Sequence, residues 1–245
     1  AEKLILATGS NPKVWEMLQT FGHVIVSPVP SLFTFNIKDA RIKELPGVAA
    51  QVTVKVKDTK LTSTGPLLIT HWGMSGPAIL KLSAWGARIL HDKNYQFTIF
   101  VNWLNDAEKE EVEKKLKELK QEHAKETVSK KSPFELTNRL WESLVLASGI
   151  ENETKWADLS KIQLQNLVNQ LINGTFQVNG KSTFKEEFVT AGGIDLKEIN
   201  FKTMESKLHK NLYFAGEIVN IDAITGGFNF QNAWTSGFIV ACALS

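Results

Sequence analysis

The stretch NLYFAGEIVNIDAITGGFNFQNAWTSGFIVA, residues 211 to 241, decides how this chain is built. A short apolar run, Leu212 to Ala215, stops at Gly216-Glu217, and a second glycine turn follows at Thr225-Gly226-Gly227. A buried strand ending this way places Gly216 and Glu217 at the carboxyl edge of a sheet, where open α/β folds bind their ligands. Consecutive glycines let the backbone turn tightly and approach a ligand with no Cβ between them. Phe230, Ala233, Trp234, Gly237 and Ala241 then recur at a spacing suited to a closely packed helix. Free N–H groups and the positive end of that helix would point back at the glycines and could hold an electron-rich oxygen or a phosphate. A plain strand-to-helix turn beside a solvated acid satisfies the same local pattern, so these features alone leave the two readings level.

Working outward, 245 residues with 43% hydrophobic content can bury a sizeable core in one large domain or two smaller ones. With 28 basic against 26 acidic side chains, the net charge of +2 makes no electrostatic case for a nucleic acid or an anionic membrane. The expectation is therefore a small-molecule substrate, with no nucleic-acid and no membrane partner. Cys242 is the sole cysteine, which excludes an intramolecular disulfide and a cysteine-based zinc site. His23, His91, His123 and His209 lack partners at metal-ligand spacing, so no metal is expected, and the seven tryptophans read as core packing. Leu4 to Ala7 is too short an apolar run for a signal peptide or a transmembrane helix, and the expected location is cytoplasmic. An Ala at position 1, almost directly before a strand-like run, reads as a chain cut out of a longer one.

Residues 3 to 8 read as a buried strand ending at Thr8-Gly9, and PKVWEMLQTFGH as a helix closed by Gly22. From residue 24 to 102 short β-prone segments dominate. Val52, Val54 and Val56 alternate with Thr53, Lys55 and Lys57, the mark of a half-buried strand in a small barrel or sandwich. A helix interrupts this region after Pro77, with Ser75 or Gly76 as cap and Ile79, Leu82 and Leu90 on its inner side. Residues 105 to 174 form a helical insert. Its first helix is a solvated one with Glu/Lys pairs four apart and a narrow stripe of Val112, Leu116 and Leu119. Ser132-Pro133-Phe134-Glu135 reads as a capping box opening a helix through Leu136, Leu140 and Leu144 that stops at Gly149. Ser160 and Gln163 repeat that device before Leu164, Leu167, Val168 and Leu171, with Gly174 as the stop. Asn179-Gly180 then signals a β-hairpin, so a helical module is nested inside a β domain.

The segments LYFAGE, ITGGFNFQNAW and TMESK resemble the C-terminal signature of the bacterial FAD-binding flavoproteins of the aminoacetone oxidase type. ILATGS at the start, GPLLITHWGMSGPAILKLSAWGAR at 65 to 88 and VTAGGI at 189 to 194 are similar to further motifs of that family, in the same order. The resemblance implies an α+β multidomain fold. Residues 1–25 and 208–245 would be two pieces of a Rossmann-like FAD-binding domain, 26–104 and 175–207 a β-barrel domain, and 105–174 a helical domain. By the same resemblance, Gly216 and Glu217 would sit beside the ribityl-phosphate part of FAD. Gly226, Gly227, Phe228 and Asn229 would present backbone to the isoalloxazine ring, with Thr225 of the same turn also against the cofactor, and Thr8 and Gly9 would line the dinucleotide. Ser10, Asn220 and Ala223 depart from the family pattern, which has Gly, Asp and Gly at those places.

No G-x-G-x-x-G follows any strand, so the turn that should grip the ADP pyrophosphate is missing. A family member would carry roughly 100 or more residues before Ala1, most of a nucleotide-binding domain. The expectation is a C-terminal part of an FAD-dependent oxidoreductase, with NAD(P)H as a candidate electron donor. Alone it would be inactive, with FAD weakly bound or absent. On the substrate side His71 is the candidate catalytic residue, since imidazole titrates near neutrality and could move a proton during hydride transfer; a packed, hydrogen-bonding histidine is an equal alternative. Trp72 and Ser75 flank it, and Thr190, Gly192 and Gly193 form either a second backbone approach or a plain turn. A rival reading is a non-enzymatic partner-binding module, which would show a large apolar patch on helices 132 to 174. A third, a flavoprotein that modifies RNA, lacks a basic stripe with interleaved aromatics.

Overall fold

The computed structural model describes residues 1–182 and 189–245. In chain order the elements begin with β1 (Leu4–Leu6), α1 (Pro12–Thr20), β2 (Ile25–Ser31), β3 (Thr34–Asn36), α2 (Ala40–Lys43), β4 (Ala49–Val56), β5 (Thr62–Thr70) and β6 (Gly73–Ser75). There follow α3 (Pro77–Trp85), α4 (Ala87–Asp92), β7 (Gln96–Asn102), α5 (Lys109–Glu122), α6 (Asn138–Ala147) and α7 (Lys161–Asn173). The last are β8 (Gly174–Asn179), β9 (Lys181–Ser182), β10 (Val189–Ile194), β11 (Ile199–Asn200), β12 (Glu205–Ser206), β13 (Leu212–Phe214) and α8 (Phe228–Leu244). They form two compact units: Ala1–Leu32 with Ser83–His91 and Phe184–Ser245, and Phe33–Leu82 with Asp92–Thr183.

The second unit holds a seven-stranded sheet in the order β8-β7-β4-β5-β6-β3-β9, every pair antiparallel. Its two outermost strands are separated in sequence by Gly180 alone, so the row closes on itself as a barrel. Gly180, at φ +103°, makes the corner: its N–H donates to Tyr95 (2.8 Å) and its carbonyl accepts from Asn36 (3.0 Å). The hairpin expected at Asn179-Gly180 is therefore corrected, because β8 pairs with β7 while β9 pairs with β3; part of its second run lies outside the described residues. Val52, Val54 and Val56 are buried as their alternation requires, while Lys55 faces out. Thr53 is buried too, its hydroxyl 2.8 Å from that of Thr64 directly across on β5.

The helical insert leaves after β7 and returns into β8, two neighbouring strands, so it can be housed without disturbing the barrel's pairing. Leu140, Trp141, Leu144, Leu164, Leu167, Val168 and Leu171 are all buried in this second unit. The Ser160–Gln163 capping box forms in both directions, at 3.2 and 3.0 Å. The box expected at Ser132 does not form. The Ser132 hydroxyl instead accepts from Phe134 N–H two residues on, Phe134 packs against Trp141, and α6 begins only at Asn138 with Thr137 as its cap. Local side-chain bonding has outcompeted the helix start, as short hydroxyl side chains can. Arg41 ties the insert to the barrel: it forks onto Asp39 (2.8 and 2.7 Å), reaches Gln170 of α7 (2.7 Å) and lies over the Phe176 ring of β8.

In the first unit β1 runs parallel to β13, which β12 and β11 extend antiparallel. Leu6, Trp15, Leu18, Leu212, Phe214, Ile218 and Val240 belong to its core. The Trp15 indole N–H donates to the Ile218 carbonyl at 3.0 Å. Only Leu6 of β1 is buried, against the expectation of a buried strand, because Leu4 and Ile5 remain about half exposed. β2 and β10 form a separate antiparallel ribbon with a bulge between Ala191 and Gly193. The single helix expected after Pro77 is broken at Gly86 into α3 and α4.

The tryptophans divide. Trp15, Trp103, Trp141 and Trp156 are core residues as expected, whereas Trp72, Trp85 and Trp234 are each more than half exposed. Among the described residues no helix is long and apolar enough to cross a membrane.

Candidate functional site

β13 is buried on both faces, as an apolar central strand should be, and its end delivers Gly216 at φ +79°. The Gly216 N–H donates to the Ser236 hydroxyl (2.9 Å), which in turn donates to the Asn232 carbonyl (2.7 Å), so the turn is bonded to α8. Glu217 follows in a single 3₁₀ turn. One of its carboxylate oxygens accepts from Thr190 N–H at 2.9 Å; the other lies 4.0 Å from where a Cβ on Gly9 would stand. The turn after β1, the ribbon strand β10 and the end of β13 thus meet at one carboxylate.

Beyond Glu217 the chain loops to the second glycine turn. Asn229 holds this loop by gripping Ala223 twice, accepting from its N–H (2.9 Å) and donating to its carbonyl (3.0 Å). Gly226 and Gly227 sit at φ +121° and +83°, a region that strongly favours glycine. Gly227 caps α8 with no side-chain bond to the helix's first N–H groups, and a Cβ placed on it would meet nothing within 4 Å. In front lies a cavity of about 380 Å³, lined by Glu217, Thr225, Gly226, Gly227, Asn229 and Phe230 together with the apolar Leu32, Ile221 and Ile224. It offers one acceptor acid, unfilled backbone space and uncapped amides against an apolar wall, a combination suited to a flat heteroaromatic ligand with hydroxyl groups.

The other expected positions fall as follows. Thr8 is exposed, next to Gly9. Phe228 is half exposed. Gly192 and Gly193 are buried, and a Cβ would come within 2.6 Å of Pro28 on the first and 2.5 Å of the Ile218 carbonyl on the second. Packing within the unit accounts for both glycines. Phe230 and Trp234 do not close-pack as expected: their rings stack on each other 6.2 Å apart on an exposed face of α8, whose buried residues are Ser236 and Val240. His71, Trp72 and Ser75 belong to the second unit. His71 and Trp72 are exposed, and the Ser75 hydroxyl accepts from that of Thr34 at 2.9 Å.

Sequence reading passed over Asp222 and Ser236. Asp222 accepts from the Ser31 hydroxyl at 3.3 Å, and burial pushes its carboxyl above the ordinary range despite lowering by Ser31 and by the Arg88 charge. An acid inside the otherwise apolar run Ile221 to Ile224 was the available signal. The apolar patch required by the partner-module reading is missing: of the large apolar side chains between residues 132 and 174, Leu146 and Ile162 are the exposed ones, singly placed. Among the described residues there is no group of three or more His, Cys, Asp or Glu side chains able to hold a metal.

A family model described as "HI0933-like protein barrel and H2TH domain" matches residues 29–189. The chain is 33% identical over 254 residues to a ribosomal RNA dihydrouridine synthase of Haemophilus influenzae, covering 100% of this chain and 60% of that protein. It is 29% identical to a ribosomal RNA dihydrouridine synthase of Escherichia coli, covering 99% and 60%. A 3-dehydro-bile acid delta(4,6)-reductase of Clostridium scindens is 25% identical, over 99% of this chain and 62% of that protein. The chain thus spans about three fifths of the length of these curated relatives. None of the three carries an aminoacetone oxidase name. Two are named for ribosomal RNA, which overturns the expectation that nucleic acid is not a partner of such a chain. The physical error was to use a summed charge. A net +2 describes the far field, while RNA can also be engaged by a few local cations and by stacking, neither of which a sum records.

Proposed function

The chain belongs to the HI0933-like protein family, and from that premise we propose that it forms the substrate-side and flavin-side part of an FAD-dependent reductase that saturates a uracil ring in ribosomal RNA. The relatives' names support the reaction class: dihydrouridine is uridine with two hydrogens added across a carbon–carbon double bond conjugated to a carbonyl, and a delta(4,6)-reductase acts on a conjugated system too. The observation that carries the cofactor reading is the cavity at the start of α8, with its unfilled space at Gly227. The residues present fit the ring and ribityl end of FAD. Backbone at Gly227 would approach the ring with no Cβ in the way, with Thr225, Gly226, Phe228 and Asn229 completing the turn, the open side of Gly226 covered by the Phe228 ring. Glu217, beside Gly9, Thr8 and Gly216, has one oxygen left to accept from a ribityl hydroxyl. The chain has no G-x-G-x-x-G for the pyrophosphate, so no residue here is assigned to the ADP end.

FAD supplies, when bound, a hydride for the electron-poor carbon, with NAD(P)H as the proposed source of electrons. The chain's own part is electrostatic and steric. The positive end of α8 favours negative charge near its first N–H groups. Leu32, Ile221 and Ile224 keep water from that side of the cavity. Thr190 N–H holds Glu217 in its acceptor orientation. His71 remains the proposed proton donor on the substrate side, with Trp72 and Ser75 beside it. Residues 1–25 with 208–245, 26–104 with 175–207, and 105–174 stay as the proposed division into Rossmann-like, barrel and helical domains.

The test is made on the protein extended to the length of its relatives. Flavin absorbance is expected in the purified protein and lost in Gly227→Trp, whose side chain would fill the free space. Ribosomal RNA incubated with it and NAD(P)H should gain two hydrogens per modified uridine by mass spectrometry. A colourless extended protein, or full flavin content in Gly227→Trp, would remove the site assignment. Turnover of a conjugated steroid with none of RNA would move the substrate to the bile-acid class of the third relative.

A further inference from the structure

The turn between β5 and β6 holds a tryptophan out into solvent on a rigid mount. Thr70 at its start accepts from both Trp72 N–H (3.3 Å) and Gly73 N–H (3.2 Å), and the Trp72 carbonyl accepts from Ile37 N–H at 2.9 Å. Gly73 is pressed so tightly against β3 that a Cβ would lie 2.2 Å from the Phe35 carbonyl oxygen. With its backbone fixed on three sides, Trp72 nevertheless leaves its side chain 58% exposed. A large aromatic held this way gives up the burial that folding would otherwise gain from it.

The same turn contributes Thr70 and His71 to a cavity of about 370 Å³ whose other lining residues are Ile37, Lys38, Asp39, Ala40, Ile42 and Lys43. The charged or titratable groups that line it are Lys38, Asp39, Lys43 and His71; Arg41 and Glu44 lie on the same segment outside the lining, Arg41 turned to Asp39, Gln170 and the Phe176 ring. Asp39 is already engaged by both arms of Arg41; burial would raise its carboxyl, but those bonds outweigh it and hold the group below the ordinary range. Lys43 and Glu44 are 3.9 Å apart and both largely exposed, a pairing that solvent screens. Lys38 and Lys43 are therefore available cations on the cavity that His71 also lines, and Lys38 directly follows Ile37, whose N–H is bonded to the Trp72 carbonyl.

We propose that Trp72, Lys38 and Lys43 form a docking site for single-stranded RNA, in which an unpaired base stacks on the indole and the flanking phosphates meet the two ammonium groups. This rests on the RNA reading above and gives it a location. Stacking on an aromatic face with cations along the strand is the general physical mode of single-strand binding, because every base has a π face and every linkage a negative charge. A binding protein segment would call for a contiguous apolar groove, whereas the apolar lining of this cavity, Ile37, Ala40 and Ile42, is interrupted by Lys38, Asp39, Lys43, Thr70 and His71.

The experiment measures the affinity of the extended protein for a labelled single-stranded fragment of ribosomal RNA by fluorescence anisotropy, with flavin absorbance recorded on the same samples. Trp72→Ala is expected to weaken binding about tenfold, and Trp72→Phe to recover most of it. Lys38→Gln with Lys43→Gln should lower the slope of log K against log salt by about 1.4, the value for two phosphate contacts on a single strand. Unchanged affinity in Trp72→Ala, with the parent binding RNA, overturns the site. Slower turnover with unchanged RNA affinity also overturns it and makes Trp72 a contact for the reacting ring alone. If the parent binds no RNA at all, the RNA reading falls and this site with it, while flavin absorbance still reports separately on the reductase reading. Trp72→Phe, which keeps an aromatic ring, guards against a folding defect in the alanine variant.

Discussion

Two buried indoles separate hydrogen bonding from packing at the scale of the residue. Trp141 and Trp103 are both essentially fully buried, but Trp141 donates to the Val128 carbonyl at 2.8 Å while the Trp103 N–H has no hydrogen-bond partner among the described residues. Replacing either by Phe removes similar volume. In Trp141→Phe the Val128 carbonyl also loses its donor, whereas Trp103→Phe eliminates an unsatisfied one. Trp141→Phe is expected to cost about 2 kcal/mol more than Trp103→Phe in urea unfolding, and equal losses would contradict the assignment. Asp222 carries a pH signature. Burial raises its carboxyl in the folded protein, so the native state binds that proton more tightly than the unfolded chain. The stability it contributes is full below the unfolded value, about pH 3.9, and is lost as the pH rises through the folded one. Asp222→Asn keeps an acceptor for Ser31 without the charge. Its melting temperature should exceed the parent's at neutral pH and converge with it in acid; a lower value at neutral pH would mean that the carboxylate is a net stabiliser there.

Elements in this protein meet through glycines of two kinds. Gly193 brings β10 against the turn after β13, with the Ile218 carbonyl 2.5 Å from its missing Cβ and a parallel bridge from Ile194 to Val219 beside it. Gly227 starts α8 in the left-handed region with open space around it. Both are glycine-specific in backbone conformation, yet only the first is crowded. Gly193→Ala should therefore destabilise by about 3 kcal/mol or more, since backbone must move as well as strain be absorbed. Gly227→Ala should cost about 1–2 kcal/mol, the left-handed penalty alone. Thermal unfolding of the two variants decides the matter, and comparable losses would mean that the β10 contact can relax. The Ser160–Gln163 box and the absent Ser132 box show a contrast in helix starts: the same Ser-x-x-Glu/Gln spacing is realised in one and, in the other, diverted by the Ser132 hydroxyl accepting from Phe134 N–H.

Over the whole molecule, the two candidate sites fall in different units. The first unit assembles a carboxylate, two glycine turns and a helix start around a cavity suited to a flavin ring. The second carries a closed barrel, its helical insert, and the exposed Trp72 turn with its lysines. Ribosomal RNA chemistry in two relatives fits a chain whose net charge is almost nil, provided recognition uses local stacking and a few phosphate contacts in place of a broad basic face.

The sequence by itself determined what depends on neighbours a few residues away. The valine alternation of β4, the capping box of α7, the Gly-Gly start of α8 and the nesting of a helical module inside β structure were all legible, because period and cap chemistry act locally. Of the candidate site, the residues at both glycine turns could be named, but not what holds them. Glu217 is held by Thr190 N–H and lies beside Gly9, which stand 27 and 208 positions away in the chain. Only the tertiary structure decided that contact, the burial of Asp222, the exposure of Trp72 and Trp234, and the corner at Gly180 that closes the barrel. Each follows from which distant segments share a surface, and pairing of that kind is settled by the summed burial and hydrogen bonding of the folded chain, which no short window of sequence contains.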